Sequence, residues 1–286
     1  MNSRDFFSAL ISREQDSRHG LTRREFIVLQ AKAAFVFSVN AAGLLVPAGA
    51  CADAVPDIAV ARGRPGPAAR AAVNLLGGIG SFVRPGSKVV IKPNMSFARG
   101  PESATNTDPE VVRELFAMCR EAGASKVRVL DHPLRPSEQC IEGIRDACRV
   151  FGDNTVQALE DSFFYQETQL PDAVKFRETD IMKDVLDSDV LIAAPVAKSH
   201  SSTGVSLSMK GMMGLILNRS VMHWRYDLST AIVDLCTYLK PRLVVIDATR
   251  VLSTNGPGGP GKVLKEDTII ASRDMVAADA AAVQMF

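Results

Sequence analysis

"VLIAAPVAKSHSSTGVSLSMKGMMGLI", from Val190 to Ile216, starts as an unbroken apolar run and empties into Lys198, His200, a group of hydroxyls and Lys210 before turning apolar again. A strand apolar at every position is covered on both faces, because a half-exposed strand would alternate with polar residues. Such strands belong to parallel sheets, whose neighbours are joined by helical crossovers. The carboxyl end of such a strand is where open parallel sheets hold ligands, so the polar residues after Pro195 are read as a presented site.

Outward from this segment, short β-rich runs alternate with helical ones from Asp57 onward. Ile58–Ala61, "KVVIKPN" (Lys88–Asn94), "KVRVLD" (Lys126–Asp131), Asp189–Ala194, "LVVID" (Leu243–Asp247) and "DTIIAS" (Asp267–Ser272) read as strands. Helices are expected at Pro67–Leu76, from the Thr107-Asp108-Pro109-Glu110 start to Gly123, around Ser137–Phe151, and near Ile181–Leu186, Val205–Leu217 and Leu228–Leu239. Asp153–Arg177 has mixed polarity and scattered aromatics, so an irregular or β-containing insertion is expected there. The fold class is α/β: a largely parallel sheet with helices on both faces, in a single domain over residues 55–286. The closing "DMVAADAAAVQMF" forms an alanine-rich helix with no stop signal at Phe286, and the domain is expected to continue past it.

The 286 residues are 47% hydrophobic and 23% charged, the make-up of a globular protein with a sizeable core. Thirty-three basic against thirty-two acidic residues leave a formal charge of +1, so no global field exists to hold nucleic acid or an anionic membrane. A charged partner must be met by a local cluster.

Residues 1–54 read differently. A polar leader, Thr22-Arg23-Arg24-Glu25-Phe26-Ile27, an apolar run to Val46 and the small residues Ala48-Gly49-Ala50-Cys51-Ala52 make up a twin-arginine export signal. Cleavage is expected after Ala50 or Ala52. The expected partner is the twin-arginine translocation machinery, and the expected location is the periplasm or cell envelope. Gln30, Lys32 and Asn40 dilute the apolar run too far for a stable membrane span. Beyond Cys51, the cysteines at 119, 140, 148 and 236 form no C-x-x-C pair and no local zinc or iron-sulfur motif.

The residues leaving the strands are Lys92 and Asn94, Asp131 and His132, Lys198 and His200, Asp247, and Asp274. Five strands thus deliver charge toward one edge. Singly, each has a structural use: aspartates cap helices or form turns, capping being the stronger reading for Asp274, and lone histidines usually serve as hydrogen-bonded structural groups. Together, Lys92, Lys198, His200 and Lys210 form the cationic side of a pocket for a small anionic ligand, with Asn94 and His223 as further binding residues. His200 and Asp247 are the candidates for proton transfer. His223-Trp224-Arg225-Tyr226-Asp227 is either a lid, a substrate platform or a packed corner. His200, His223 and an aspartate offer scattered donors, too weak a pattern to assign a metal. "GPGGPGK" (Gly256–Lys262) has phosphate-loop spacing, but Val263 stands where a Ser or Thr should bind magnesium, so it reads as a rigid turn at the rim of the site. No nucleophile elbow, H-E-x-x-H or G-x-G-x-x-G fingerprint is present.

"IKPNM" (Ile91–Met95), Thr105–Pro109, "AGASKVRVLD" (Ala122–Asp131), "DSDVLIAAPVAKSH" (Asp187–His200), "TGVSLSMKGMMGLI" (Thr203–Ile216), His223, Asp247, "GPGGPG" (Gly256–Gly261) and "ASRDMVAADA" (Ala271–Ala280) together resemble the domain of unknown function 362 family. The resemblance spans nearly everything after residue 85. It implies an exported protein whose relatives often carry a ferredoxin-like cysteine segment with iron-sulfur clusters, a segment this sequence lacks. Met209-Lys210-Gly211 stands where relatives commonly have Lys-Asn, which makes Lys210 the matching lysine. The cofactor is not identified by these residues. The expected function is an anion-binding enzyme, redox-linked through the family's iron-sulfur relatives, with a non-catalytic periplasmic binding or accessory protein, or a metal carrier, as the alternatives.

Overall fold

The structure is a computed structural model that describes residues 55–286 except 135 and 136. The export signal expected over residues 1–54 lies outside the described residues. In chain order the elements are β1 (Ile58–Arg62), α1 (Pro65–Leu75), β2 (Lys88–Pro93), α2 (Pro109–Glu121), β3 (Lys126–Asp131), α3 (Ser137–Cys148) and β4 (Val156–Ala158). There follow β5 (Tyr165–Gln169), β6 (Glu178–Met182), α4 (Lys183–Leu186), β7 (Val190–Ala194), β8 (Val196–His200), β9 (Gly204–Ser206) and α5 (Ser208–Gly211). The chain closes with α6 (Val221–Trp224), α7 (Leu228–Tyr238), β10 (Leu243–Leu252), β11 (Val263–Ser272) and α8 (Met275–Val283).

The main sheet runs β1-β11-β10-β7-β2-β3-β4, with β8 pairing β10 and β9. From β10 through β4 all neighbours are parallel; β11 and β1 add an antiparallel edge. The fold is therefore α/β with a mostly parallel sheet. Its strands are apolar on both faces for the expected reason. In β7, Leu191 and Ala193 join one core while Val190, Ile192 and Ala194 join the other, and β10 divides likewise, with Val244 and Ile246 opposed to Leu243 and Val245. The first core is closed by α7, α8 and the segment around α5, the second by α1, α2 and α3.

The helix starts follow their sequence signals. Asp108 caps α2, accepting from Glu110 N, with Pro109 at the first position. Asp274 accepts from Val276 N and Ala277 N and so caps α8. The insertion after β4 contains the separate antiparallel sheet β5-β6. Cys119, Cys140, Cys148 and Cys236 are all buried.

Two expectations are corrected. The helix expected over Val205–Leu217 is instead β9, one turn of α5 and a 3₁₀ turn at Met212–Leu215. β9 folds back on β8, placing Ser206 opposite Lys198 and Gly204 opposite His200, and that pairing overrides the helical spacing of the apolar residues. Gly211 and Gly214 also weaken any longer helix. Secondly, β10 does not end at Asp247; it continues to Leu252 because Val251 and Leu252 pair with Leu264 and Val263 beyond a bulge.

Pro195 divides β7 from β8. β7 lies between β10 and β2, whereas β8 leaves β2 and pairs with β10 and β9. The sheet forks at this point. Three backbone groups of the fork are held: Thr107 Oγ1 donates to Ala194 O at 2.7 Å, Asp247 N donates to Pro195 O at 2.8 Å, and Val196 N donates to Asn94 Oδ1 at 2.9 Å.

Candidate functional site

Parallel β2 and β3 end on Lys92-Pro93 and Asp131, and the segment from β9 to α6 closes over them. The result is a cavity of about 220 Å³ lined by Lys92, Asn94, Asp131, Lys198, His200, Ser206, Lys210, Arg219, Ser220 and His223, with Phe97, Leu134, Met213 and Pro257 as its apolar walls. Lys198 and His200, two residues apart on an extended strand, both reach it, as alternation requires.

Asp131 is the carboxylate of this lining, and it is fully engaged. Its Oδ1 takes Lys92 Nζ at 2.9 Å and His132 N at 2.9 Å, while Oδ2 accepts from Met95 N at 2.9 Å. Both partners of the ion pair are buried. Gly214 packs on the pair so closely that a Cβ there would lie 2.1 Å from Asp131 Oδ1 and 2.8 Å from Lys92 Cε. Burial lowers the Lys92 pKa, while Asp131 opposes that shift.

The remaining cations have no carboxylate partner among the described residues. Lys198 Nζ donates to Thr105 O at 2.6 Å and lies 4.9 Å from the centre of the Phe97 ring. Burial, then Lys92 and Lys210, lower its pKa to about 7, against the pull of Asp131. Lys210, carried by α5, is lowered to about 8 by burial and then by Arg219 and Lys92. Arg219 donates from Nη1 to His132 O and from Nη2 to Pro133 O at 2.6 Å, which fixes its guanidinium at the wall.

His200 is pushed down to about 4 by burial and then by Lys210, Lys198 and His223. Its Nδ1 accepts from Ser202 N at 3.1 Å, so the neutral ring carries its proton on Nε2. The residue is thus a hydrogen-bond donor rather than a base. His223 is lowered by burial, then by Lys210 and Arg219.

The structure places most of the expected residues together. Lys92, Asn94, Lys198, His200, Lys210 and His223 all line the cavity, and Pro257 of the Gly-Pro turn stands on its rim. Asn94 also serves the fold, through its bond to Val196 N. Asp247 is elsewhere. Because β10 runs five residues further than expected, this carboxylate sits mid-strand, buried, accepting from Asp108 N at 2.7 Å, Thr249 N at 3.0 Å and Thr249 Oγ1 at 2.6 Å. Asp274 leaves β11 at the opposite edge, since that strand is antiparallel. Of the hydroxyls around and after His200, Ser199 accepts from Gly256 N at 3.0 Å and Thr203 donates to Val205 O; Ser206 and Ser220 line the cavity instead. Arg219, absent from the sequence reading, belongs to no motif, and an arginine in an aperiodic link carries no local signal. Asp131 was visible as a strand-end acid.

The aromatic stretch after His223 divides. Trp224 is 73% exposed and outside the cavity, Tyr226 packs edge-on against Phe176 at 5.3 Å, and Asp227 caps α7. Among the described residues no group of three or more His, Cys, Asp or Glu is arranged to hold a metal, and no cysteine lines the cavity, so an iron-sulfur cluster has no ligand set there. Nor is any described helix long and apolar enough to cross a membrane.

A curated relative, a thylakoid-associated protein of Synechocystis sp. (strain ATCC 27184 / PCC 6803 / Kazusa), is 26% identical over 213 residues, 71% of this chain and 64% of that protein. The chain therefore spans less than two thirds of the relative's length. Two solved structures are similar to the chain at 13% identity. One is the lactate racemase apoprotein from Thermoanaerobacterium thermosaccharolyticum, with a TM-score of 0.47 over 70% of this chain and 49% of that one. The other is a structural-genomics protein of Thermotoga maritima, with a TM-score of 0.51 over 78% and 60%. At that identity the second likeness speaks for fold alone. The family described as "Domain of unknown function (DUF362)" matches residues 89–284, which contain every residue of the cavity, and the chain belongs to that family.

Proposed function

We propose that the protein is exported through the twin-arginine pathway and holds a small anion in the strand-end cavity, where it serves proton-transfer chemistry on that ligand. Export is supported by the order of leader, Arg23-Arg24, apolar run and small-residue site in residues 1–54. The observation that carries the anion reading is charge counting at one cavity: Lys198, Lys210 and Arg219 converge on it, while its carboxylate is already bonded to Lys92. Buried like charges repel, and a ligand carboxylate or phosphate supplies the missing countercharge.

Lys198 is the group suited to exchange a proton, because its pKa of about 7 matches neutral pH. His200 contributes an N–H to a ligand oxygen. Asp247 supports the loop that carries Asp108, and so acts on the ligand only through the fold. Calorimetric titration of the purified full chain with sulfate at pH 6.5 tests the reading. One site per chain, weakened by about tenfold or more on Lys210→Met, is expected; absence of binding to the unsubstituted protein refutes it.

A further inference from the structure

Lys198 stands apart from the other cations of the cavity. Lys92 has its carboxylate, Arg219 spreads its charge over a guanidinium held by two carbonyls, and Lys210 sits half-buried on a one-turn helix. Lys198 is 2% exposed, pairs with no carboxylate among the described residues, and is anchored by one N–H to Thr105 O. The charged groups that act on it are Lys92 from β2, Asp131 from β3 and Lys210 from α5. Two of the three are positive, and the third is neutralised by its own pair. At neutral pH a large share of this amine is uncharged, with a lone pair free to attack an electrophile. Desolvated lysines beside other cations are the kind that form imines with carbonyl compounds.

We propose that Lys198 is a covalent catalytic residue that forms an imine with a small oxo acid, whose carboxylate is held by Lys210 and Arg219. This rests on the reading of the cavity as an anion site. A cavity of about 220 Å³ suits a compound of a few heavy atoms, and both cations stand on its wall with Lys198. His200, two residues along the same strand, presents its Nε2–H to the cavity as the donor for the carbonyl oxygen.

The step balances without a further reagent. The neutral amine adds to the carbonyl carbon, forming the C–N bond as the π pair moves onto oxygen. One nitrogen proton passes to that oxygen, giving a carbinolamine. The hydroxyl then leaves with the second nitrogen proton as water, and the C=N bond forms. One amine and one carbonyl give one imine and one water, with no change of oxidation state.

The test uses the purified full chain with glyoxylate and sodium cyanoborohydride, which reduces imines to stable amines, followed by peptide mass spectrometry. The expected result is preferential carboxymethylation of Lys198 while the exposed Lys265 stays unmodified. Sulfate should suppress it, and acetaldehyde, which lacks the carboxylate, should label Lys198 less efficiently than glyoxylate does and without suppression by sulfate. The labelling rate should rise through a midpoint near pH 7, whereas that of a free lysine derivative rises only toward its ordinary value of about 10.4. Labelling confined to Lys210 or to surface lysines, or a Lys198 profile like theirs, overturns the proposal. If sulfate still binds and Lys198 remains unlabelled, the imine fails and the anion site stands; if sulfate does not bind, both fall.

Discussion

Lys92 and Asp131 pair beneath Gly214, and the three depend on one another. Replacing Asp131 by Asn leaves a buried ammonium without its counter-ion, a change that ordinarily costs about 3–5 kcal/mol; urea unfolding should show a loss of that order. Gly214→Ala should destabilise by about 1–3 kcal/mol, the usual penalty of overpacking, because its methyl would collide with both partners of the pair. Lys210→Met should weaken sulfate binding by about tenfold or more, the effect of losing one charge-assisted hydrogen bond, as read by calorimetry. At this scale the sequence was informative where a residue sat at a strand end: Lys92, Asn94, Lys198 and His200 were legible because strands deliver their last side chains to one place. Arg219 was not, because its place depends on carbonyls of His132 and Pro133, more than eighty positions away.

Among the elements, α5 is too short to hold itself. A single turn leaves its amide donors unpaired, and its N-terminal residue Leu207 offers no side-chain cap. Asp279 of α8 supplies one from a distance: Oδ1 accepts from Ser208 N at 2.8 Å and Ser208 Oγ at 2.6 Å, and Oδ2 accepts from Met209 N at 2.9 Å. Burial raises its pKa to about 6, so its ionised form is held at some expense. Asp279→Ala should therefore weaken sulfate binding severalfold by loosening the turn that carries Lys210. The urea midpoint should fall as well, by about 1–3 kcal/mol in stability, because Ser208 N, Ser208 Oγ and Met209 N all lose their acceptor. Helices with their own caps, such as α2 and α8, were readable from Asp108-Pro109 and Asp274. The region from Val205 to Leu217 was not, since its structure comes from pairing with β8 and from a cap seventy residues downstream.

For the molecule as a whole, the lysines of the cavity set stability against binding. Lys198 and Lys210 have folded pKa values of about 7 and about 8, below their ordinary value, so above pH 7 the unfolded chain holds more protons than the native one. Their contribution makes the ligand-free protein more stable as pH rises from 7 to 9, by up to about 1.4 kcal/mol per pH unit for each group. Sulfate keeps its charge over this range, and its affinity should fall over the same interval as the two ammonium groups are lost. Parallel urea and calorimetric series at pH 6.5, 7.5 and 8.5 would show the opposed slopes. A formal charge of +1 gave no hint of this, because composition averages over the surface while topology gathers charge at one edge. The α/β class was readable from apolar strands and helical links; the antiparallel turn of β11, which sends Asp274 to the far edge, was not. The division of the sheet at Pro195 has its own consequence for selection. Its loose ends are tied by Thr107, Asn94 and Asp247, so β8 holds Lys198 and His200 at a fixed place in the cavity wall rather than on a hinge. A series of carboxylates of growing length should accordingly meet an abrupt size limit instead of a gradual decline in affinity.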